Sequence, residues 1–436
     1  MFEDQPKVFR IVILIIFGVL IVAGTAAIAL FRGAATEAVG DIAIWGTLPE
    51  SEMNDYLSSL SKDREYLKGV TYKHIESDVY YAEVVDAIAA GRGPDLFLID
   101  QGALLKQADK IRPVSYETLP ERTFRTEYIE GAEVFLRPEG TLAIPFSVDP
   151  LVMYWNRDLF FANGLANPPQ YWDEFVGLVD KLTIVDNNQN VLQAATSLGG
   201  YDNVTNAKAV LSTLLLQLKI PVVSWLSDGS VEVNLSQPSS SAGDVALSGG
   251  PAAVRFYTEF SDPVRSVYTW NRALPESRQA FLAGDLGVYF GFASEYKSLR
   301  EANPNLNFDI GPMPRIRGAT RSVTYGTITG FAIPKSSPNG TRAYAAARGL
   351  TDAIALKSWS ASSGLPPLHR TLLASPPTDP FGAVAYNLAL NTFTWLDSDP
   401  RSTDRILSTM IDDISSGRKD INSAMGLAEG SLKKTF

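Results

Sequence analysis

Gly91-Arg92-Gly93-Pro94-Asp95-Leu96-Phe97-Leu98-Ile99-Asp100 constrains the fold more than any other stretch of the chain. Glycine and proline make a turn, four apolar residues follow without polar alternation, and a carboxylate ends the run. A strand of that kind is buried on both faces. Helical patterns stand on either side of it: Tyr80, Val84, Val85, Ala87, Ile88 and Ala89 before, and Gln101 to Ala108 after. The strand therefore belongs to an αβα unit, and in open α/β sheets ligands sit beyond the carboxyl ends of such strands. The pattern points to a cleft and not to a reaction. Upstream, Asp41-Ile42-Ala43-Ile44-Trp45 reads as a first strand, Gly46-Thr47-Leu48-Pro49 turns into a helix, and Val70 to Ile75 reads as a second strand. Strand-helix-strand-helix-strand implies an α/β sheet, mostly parallel, covered by helices.

At 436 residues the chain exceeds one ordinary core and implies about two domains. A formal net charge of −10 argues against an electrostatic grip on nucleic acid. The absence of cysteine excludes disulfides, thiolate metal sites, a cysteine nucleophile and a lipid-modified N-terminal cysteine. Ile11 to Phe31 carries no charge and, as a helix, spans about 31 Å at 1.5 Å per residue, close to a hydrocarbon core. Lys7 and Arg10 before it, against Arg32 after it, place residues 1–10 in the cytoplasm and the remainder on the extracytoplasmic side of the cell membrane, tethered through 32–40. Ala27-Ile28-Ala29 also has the small-x-small form of a cleavage site, so a removed signal peptide is the competing reading. Both export the rest of the chain.

Further along, Asp149-Pro150 is expected to end a strand that begins near Leu142, making a chain crossing there. Helices are expected at Tyr171 to Leu182, after Pro168-Pro169, and at Asn206 to Leu218. Val222 to Trp225 and Val231 to Leu235 flank Ser227-Asp228-Gly229-Ser230 as a hairpin signal, Leu286 to Phe290 and Thr327 to Ile333 read as strands, and Ser236 to Gly250 reads as a loop.

The ordered series PDLFLID (94–100), IPFSVDPLVMYWNRDLF (144–160), PPQYWDEF (168–175), AFLAGDLGVYF (280–290), GPMPR (311–315) and GTITGFAIPKSSPN (326–339) resembles the extracellular solute-binding proteins of ABC importers, family 1, the group that includes maltose-binding protein. Ser415 to Met425 extends the match, which covers roughly residues 41 to 436. The resemblance implies a two-lobe periplasmic-binding-protein-like fold of type II with its ligand cleft between the lobes. Lobe one would comprise 41–149 plus about 323–370, and lobe two 150–322 plus about 371–436. It implies an extracytoplasmic receptor that delivers a small polar solute, foremost a saccharide, to an ABC permease. An exported hydrolase on the same frame, or a ligand-sensing receptor or scaffold acting through a partner protein, are the alternatives.

Loops after strands and segments between lobes are where ligand-facing residues belong. Trp45, Asp100, Gln101, Asp149, Tyr154, Trp270, Phe292, Glu295, Tyr325, Thr327 and Trp359 meet that expectation. Aromatic rings match the apolar C–H face of a sugar, while Asp100, Asp149 and Glu295 accept bonds from its hydroxyls. Many sugar-binding relatives carry a tryptophan where this chain reads Gly291-Phe292-Ala293-Ser294-Glu295. Either Phe292 takes that place, or Trp270 or Trp359 supplies the plane, or the ligand is not a sugar. Asp173-Glu174 and Asp412-Asp413 read as solvated helix faces, so no catalytic pair is assigned. His74 and His369 lie far apart without neighbours at metal spacing, and no phosphate-cradling loop is present, so neither metal nor cofactor is expected.

Overall fold

The computed structural model describes residues 38–225, 231–237 and 249–436. The apolar run 11–31 lies outside the described residues, as does the turn 227–230. Among the described residues no helix is long and apolar enough to cross a membrane.

Ten strands of the described residues join in one sheet. They are β1 (Ile42–Gly46), β2 (Val70–His74), β3 (Leu96–Asp100), β4 (Ile144–Asn156), β5 (Ile184–Val185), β6 (Val191–Thr196), β7 (Leu286–Phe292), β8 (Phe308–Gly311), β9 (Thr324–Ala332) and β10 (Thr392–Phe393). Their order is β2-β1-β3-β9-β4-β7-β6-β5, with β8 also paired to β4 and β10 to β9. The αβα units behave as expected: β1 runs parallel to β2 and β3, and β7 runs parallel to β6. The long strands at the centre are antiparallel to their neighbours, β9 to both β3 and β4, and β4 to β7. Val223–Trp225 and Val231–Val233 form a separate antiparallel pair.

β4 does not end at Asp149-Pro150; it runs through for 13 residues. The proline is tolerated because the strand changes partners there. Residues 144–150 pair with β9, whereas Leu151 to Trp155 pair with β7. Pro150 has no N–H to offer, but its carbonyl accepts from Ala293 N at 2.9 Å. Gly326 lies opposite; a Cβ there would stand 2.3 Å from Thr392 Cγ2 and 2.8 Å from Asp149 O.

The cores change at the same point. Buried residues up to Val148, with Ile328, Phe331 and Trp359, form one apolar cluster. From Leu151 and Val152 onward the chain feeds two others, one around Trp172, Phe175 and Phe290, the other around Trp270, Phe281 and Tyr289. Segment 373–396 contributes to more than one: Leu373, Ala389 and Leu396 join the first, Ala385 and Leu388 the third and Trp395 the second. The last two helices, Pro400–Ser415 and Ile421–Lys433, bury Leu407, Met410, Met425 and Leu432 in the second cluster. Their starts follow from sequence. Asp399 caps Ser402 N with Pro400 in the first turn, and Asp420 caps Ser423 N. Asp379 and Pro380 repeat the Asp-Pro arrangement at helix Pro380–Ala389.

Candidate functional site

A cavity of about 420 Å³ opens where β9 leaves the first core for the second. Helix Ala207–Gln217 begins at its wall, Tyr325 and Thr327 of β9 form its floor, and Phe292 at the end of β7 forms a side. Tyr201 and Asp404 complete the rim. Two larger concavities, about 560 and 680 Å³, lie along the last two helices, away from the central strands. They have no aromatic lining, whereas the 420 Å³ cavity combines rings with convergent polar groups.

Each wall is held by buried hydrogen bonds. Gln101, in the turn after β3, donates from Nε2 to Tyr325 Oη at 3.2 Å and accepts Ile328 N at 2.9 Å, so the end of β3 fixes the tyrosine. Thr213 Oγ1 accepts Tyr325 N at 3.0 Å from the helix side. Glu295 does the same for Phe292. Its Oε1 accepts Phe292 N at 2.8 Å and Asn206 Nδ2 at 3.0 Å, and its Oε2 accepts Tyr289 Oη at 2.6 Å. Glu295 thus positions two cavity residues without lining the cavity itself.

Lys208 sits in the wall with its Nζ 2.5 Å from Asp397 Oδ2 and 5.1 Å from the centre of the Trp395 ring. Burial alone would lower the pKa of the ammonium, but Tyr325 and Asp397 outweigh it and hold the value above the usual lysine range. Asp397 in turn accepts Thr403 Oγ1 at 2.7 Å and Asp399 N at 3.1 Å. A buried ion pair with its lone pairs satisfied in this way resists losing either partner.

Asp149, paired in register with Thr327, accepts Ser294 N at 3.0 Å. Burial raises its pKa to about 6; the bonds from Ser294 oppose the rise and Glu295 adds to it. Asp100 accepts Gly102 N at 2.7 Å, Ala103 N at 3.2 Å and Tyr81 Oη at 3.2 Å. Burial pushes its pKa up against those bonds. Among the described residues no group of three or more His, Asp or Glu could hold a metal ion.

The chain matches bacterial extracellular solute-binding proteins over residues 64–380. It belongs to that family. A binding protein of Brucella abortus (strain 2308) is 21% identical over 300 residues, 67% of this chain and 66% of the relative, so the chain spans just under two thirds of that protein's length. Among solved structures, the cyclic α-maltosyl-1,6-maltose binding protein of Arthrobacter globiformis superposes with a TM-score of 0.72 at 14% identity, covering 91% of this chain and 98% of the other. An ABC transporter solute-binding protein of Thermotoga lettingae bound with α-D-tagatose gives 0.65 at 18%, covering 91% and 99%. The maltose/maltodextrin-binding domain of Bdellovibrio bacteriovorus bound to maltotriose gives 0.64 at 14%, covering 90% and 99%. At these identities the structures establish the fold, the mixed α/β architecture of periplasmic binding proteins.

Within this solute-binding protein the eleven residues singled out from sequence fall into three groups. Phe292, Tyr325 and Thr327 line the cavity. Gln101, Asp149 and Glu295 stand behind it or at the crossing, in the bonds described above. The remainder do not line it. Trp270, with Nε1 donating to Asn203 Oδ1 at 3.1 Å, is fully buried, and so is Tyr154, whose Oη donates to Phe292 O at 2.8 Å. Trp359 is enclosed by Tyr56 and Phe146, with ring centres at 5.5 and 4.9 Å. Trp45 is half-buried at the carboxyl end of β1 under Lys73 Nζ, 4.2 Å from its ring, and Asp100 ends β3 nearby. Lys208, Tyr201 and Asp404 were not anticipated. One signal for Lys208 was present: it is the only charge in the helix AKAVLSTLLLQ.

Proposed function

We propose that this solute-binding protein is an extracytoplasmic receptor that captures a saccharide in the cavity between β7, β9 and helix Ala207–Gln217, and passes it to an ABC permease. The observation that carries this reading is the meeting, in one 420 Å³ space, of a ring from the end of β7 with hydroxyl partners from β9, the strand that passes between cores. Phe292 offers a ring for the C–H face of a sugar, and Tyr325, Thr327 and Asn206 offer polar partners for its hydroxyls. The saccharide-bound relatives of the same fold support the choice of ligand class.

Two lobes would meet at the crossings through β4 and β9, with lobe one built on residues 41–149 plus about 323–370 and lobe two on 150–322 plus about 371–436. Helices from the two sides already touch: Lys297 Nζ lies 3.7 Å from Glu52 Oε1. Ligand contacts on both sides would drive hinge closure. Ile11 to Phe31 would anchor the receptor in the membrane with its first residues in the cytoplasm. It would carry out no covalent chemistry, in keeping with its membership of a solute-binding family.

Isothermal titration with maltotriose and tagatose, followed by chromatography of the recovered sugar, tests this. Binding of an intact neutral saccharide is expected. Recovery of cleaved product overturns the receptor in favour of a hydrolase.

A further inference from the structure

The charges around the cavity do not balance. Among the described residues Lys208 is the only cationic side chain in its wall, and its ammonium is engaged at 2.5 Å by Asp397. Asp202, Glu276 and Asp404 line the same space. Their partners are neutral hydroxyls: Ser408 for Asp202 at 2.6 Å, Thr205 for Glu276 at 3.3 Å and Tyr201 for Asp404 at 3.0 Å. None of the three forms an ion pair among the described residues, although such pairs are common elsewhere on the surface. An incoming carboxylate or phosphate would meet uncompensated negative charge and find the one cation already neutralised. A hydroxyl-rich neutral ligand can donate to those carboxylates, and an amine gains from them.

We propose, on the receptor reading given above, that the cavity selects its saccharide by charge, taking neutral or amine-bearing forms and rejecting those that carry a carboxylate or phosphate. Asp404 is central, because Tyr201 holds it at the rim and it lies near enough for its charge to act on Lys208. Asp397 sets the selectivity from behind the wall by keeping Lys208 occupied.

The test uses three derivatives of maltotriose, or of whichever neutral oligosaccharide binds in its place, that differ only in the group at an opened reducing end: the alditol, the aldonate and the 1-amino-1-deoxy form. Titrated into the full chain at low salt, the aldonate is expected to bind roughly tenfold more weakly than the alditol, and the amine at least as tightly. Raising the salt narrows the gap, since the carboxylates are exposed. Asp404→Asn, which keeps an acceptor for Tyr201, narrows it at any salt. Asp397→Asn, which releases Lys208, shifts preference toward the aldonate, with the melting temperature measured alongside to establish folding. An aldonate that binds as tightly as the alditol overturns charge selection and leaves the receptor intact. Failure of every neutral saccharide to bind removes the receptor reading and this inference with it.

Discussion

Trp270 and Trp359 on one side, and Phe292 and Tyr325 on the other, are aromatic residues of the kind that stack on sugars, yet only the second pair lines the cavity. The tryptophans are enclosed by protein, Trp359 between Tyr56 and Phe146, and Trp270 held through Asn203. The smaller rings stand at a cavity, each kept in place through a neighbouring acid or amide, Glu295 for Phe292 and Gln101 for Tyr325. Ring size therefore says little about access to the cavity in this fold. Position does: Phe292 ends β7 and Tyr325 lies near the start of β9, beside the point where that strand changes cores.

Substitutions should separate the two sets. Trp359→Ala leaves a cavity among tightly packed rings and is expected to cost about 3–5 kcal/mol in chemical denaturation, with the surviving folded protein still binding sugar. A cost below about 1 kcal/mol would break the comparison by moving Trp359 out of the core. Asp397→Ala, which strands the Lys208 ammonium in the cavity wall, should cost about 3 kcal/mol, read from the same unfolding curves. Phe292→Ala belongs to the other class. It should weaken saccharide binding about tenfold, roughly 1.4 kcal/mol, with a smaller loss of stability. A drop in stability larger than the drop in binding would place that ring with the tryptophans.

A pH-dependent effect concerns the crossing itself. The pKa of Asp149 stands at about 6 in the folded protein, above the ordinary carboxylate value of about 3.9. Between those values the native state holds a proton that the unfolded chain has released, so stability conferred through this group is greatest below about pH 4 and declines as pH rises to 6. Relative to Asp149→Asn, the wild-type melting temperature should therefore fall across that window. A difference that is flat with pH would mean that the carboxyl is solvated and the crossing more open than described.

The strands and helices of the fold were largely readable from sequence. The unpunctuated run Leu96 to Asp100 is β3, and the apolar spacing from Asn206 to Leu218 is the helix Ala207–Gln217. Asp149-Pro150 misled, because a proline read alone ends a strand; what tolerates it is Gly326 opposite and Ala293 donating to its carbonyl, both far away in sequence. The site was readable only in part. Phe292 follows from its place at the end of a strand, and Tyr325 and Thr327 from theirs around the start of the run read as a strand, but Lys208 depends on a counter-ion 189 residues away, and no local pattern reports such a pair. Trp270 and Trp359 drew attention by size, and only packing reveals that they are walled in.

The central claim is that a saccharide sits against Phe292 and Tyr325 at the point where β9 passes between cores. The most direct test is a crystal structure of the protein with the neutral saccharide that most raises its melting temperature. Sugar density stacked on Phe292, with hydroxyls within bonding distance of Tyr325 or Thr327, is the predicted result. Sugar seated in the groove between helices Pro400–Ser415 and Ile421–Lys433, with the cavity filled only by water, would contradict it.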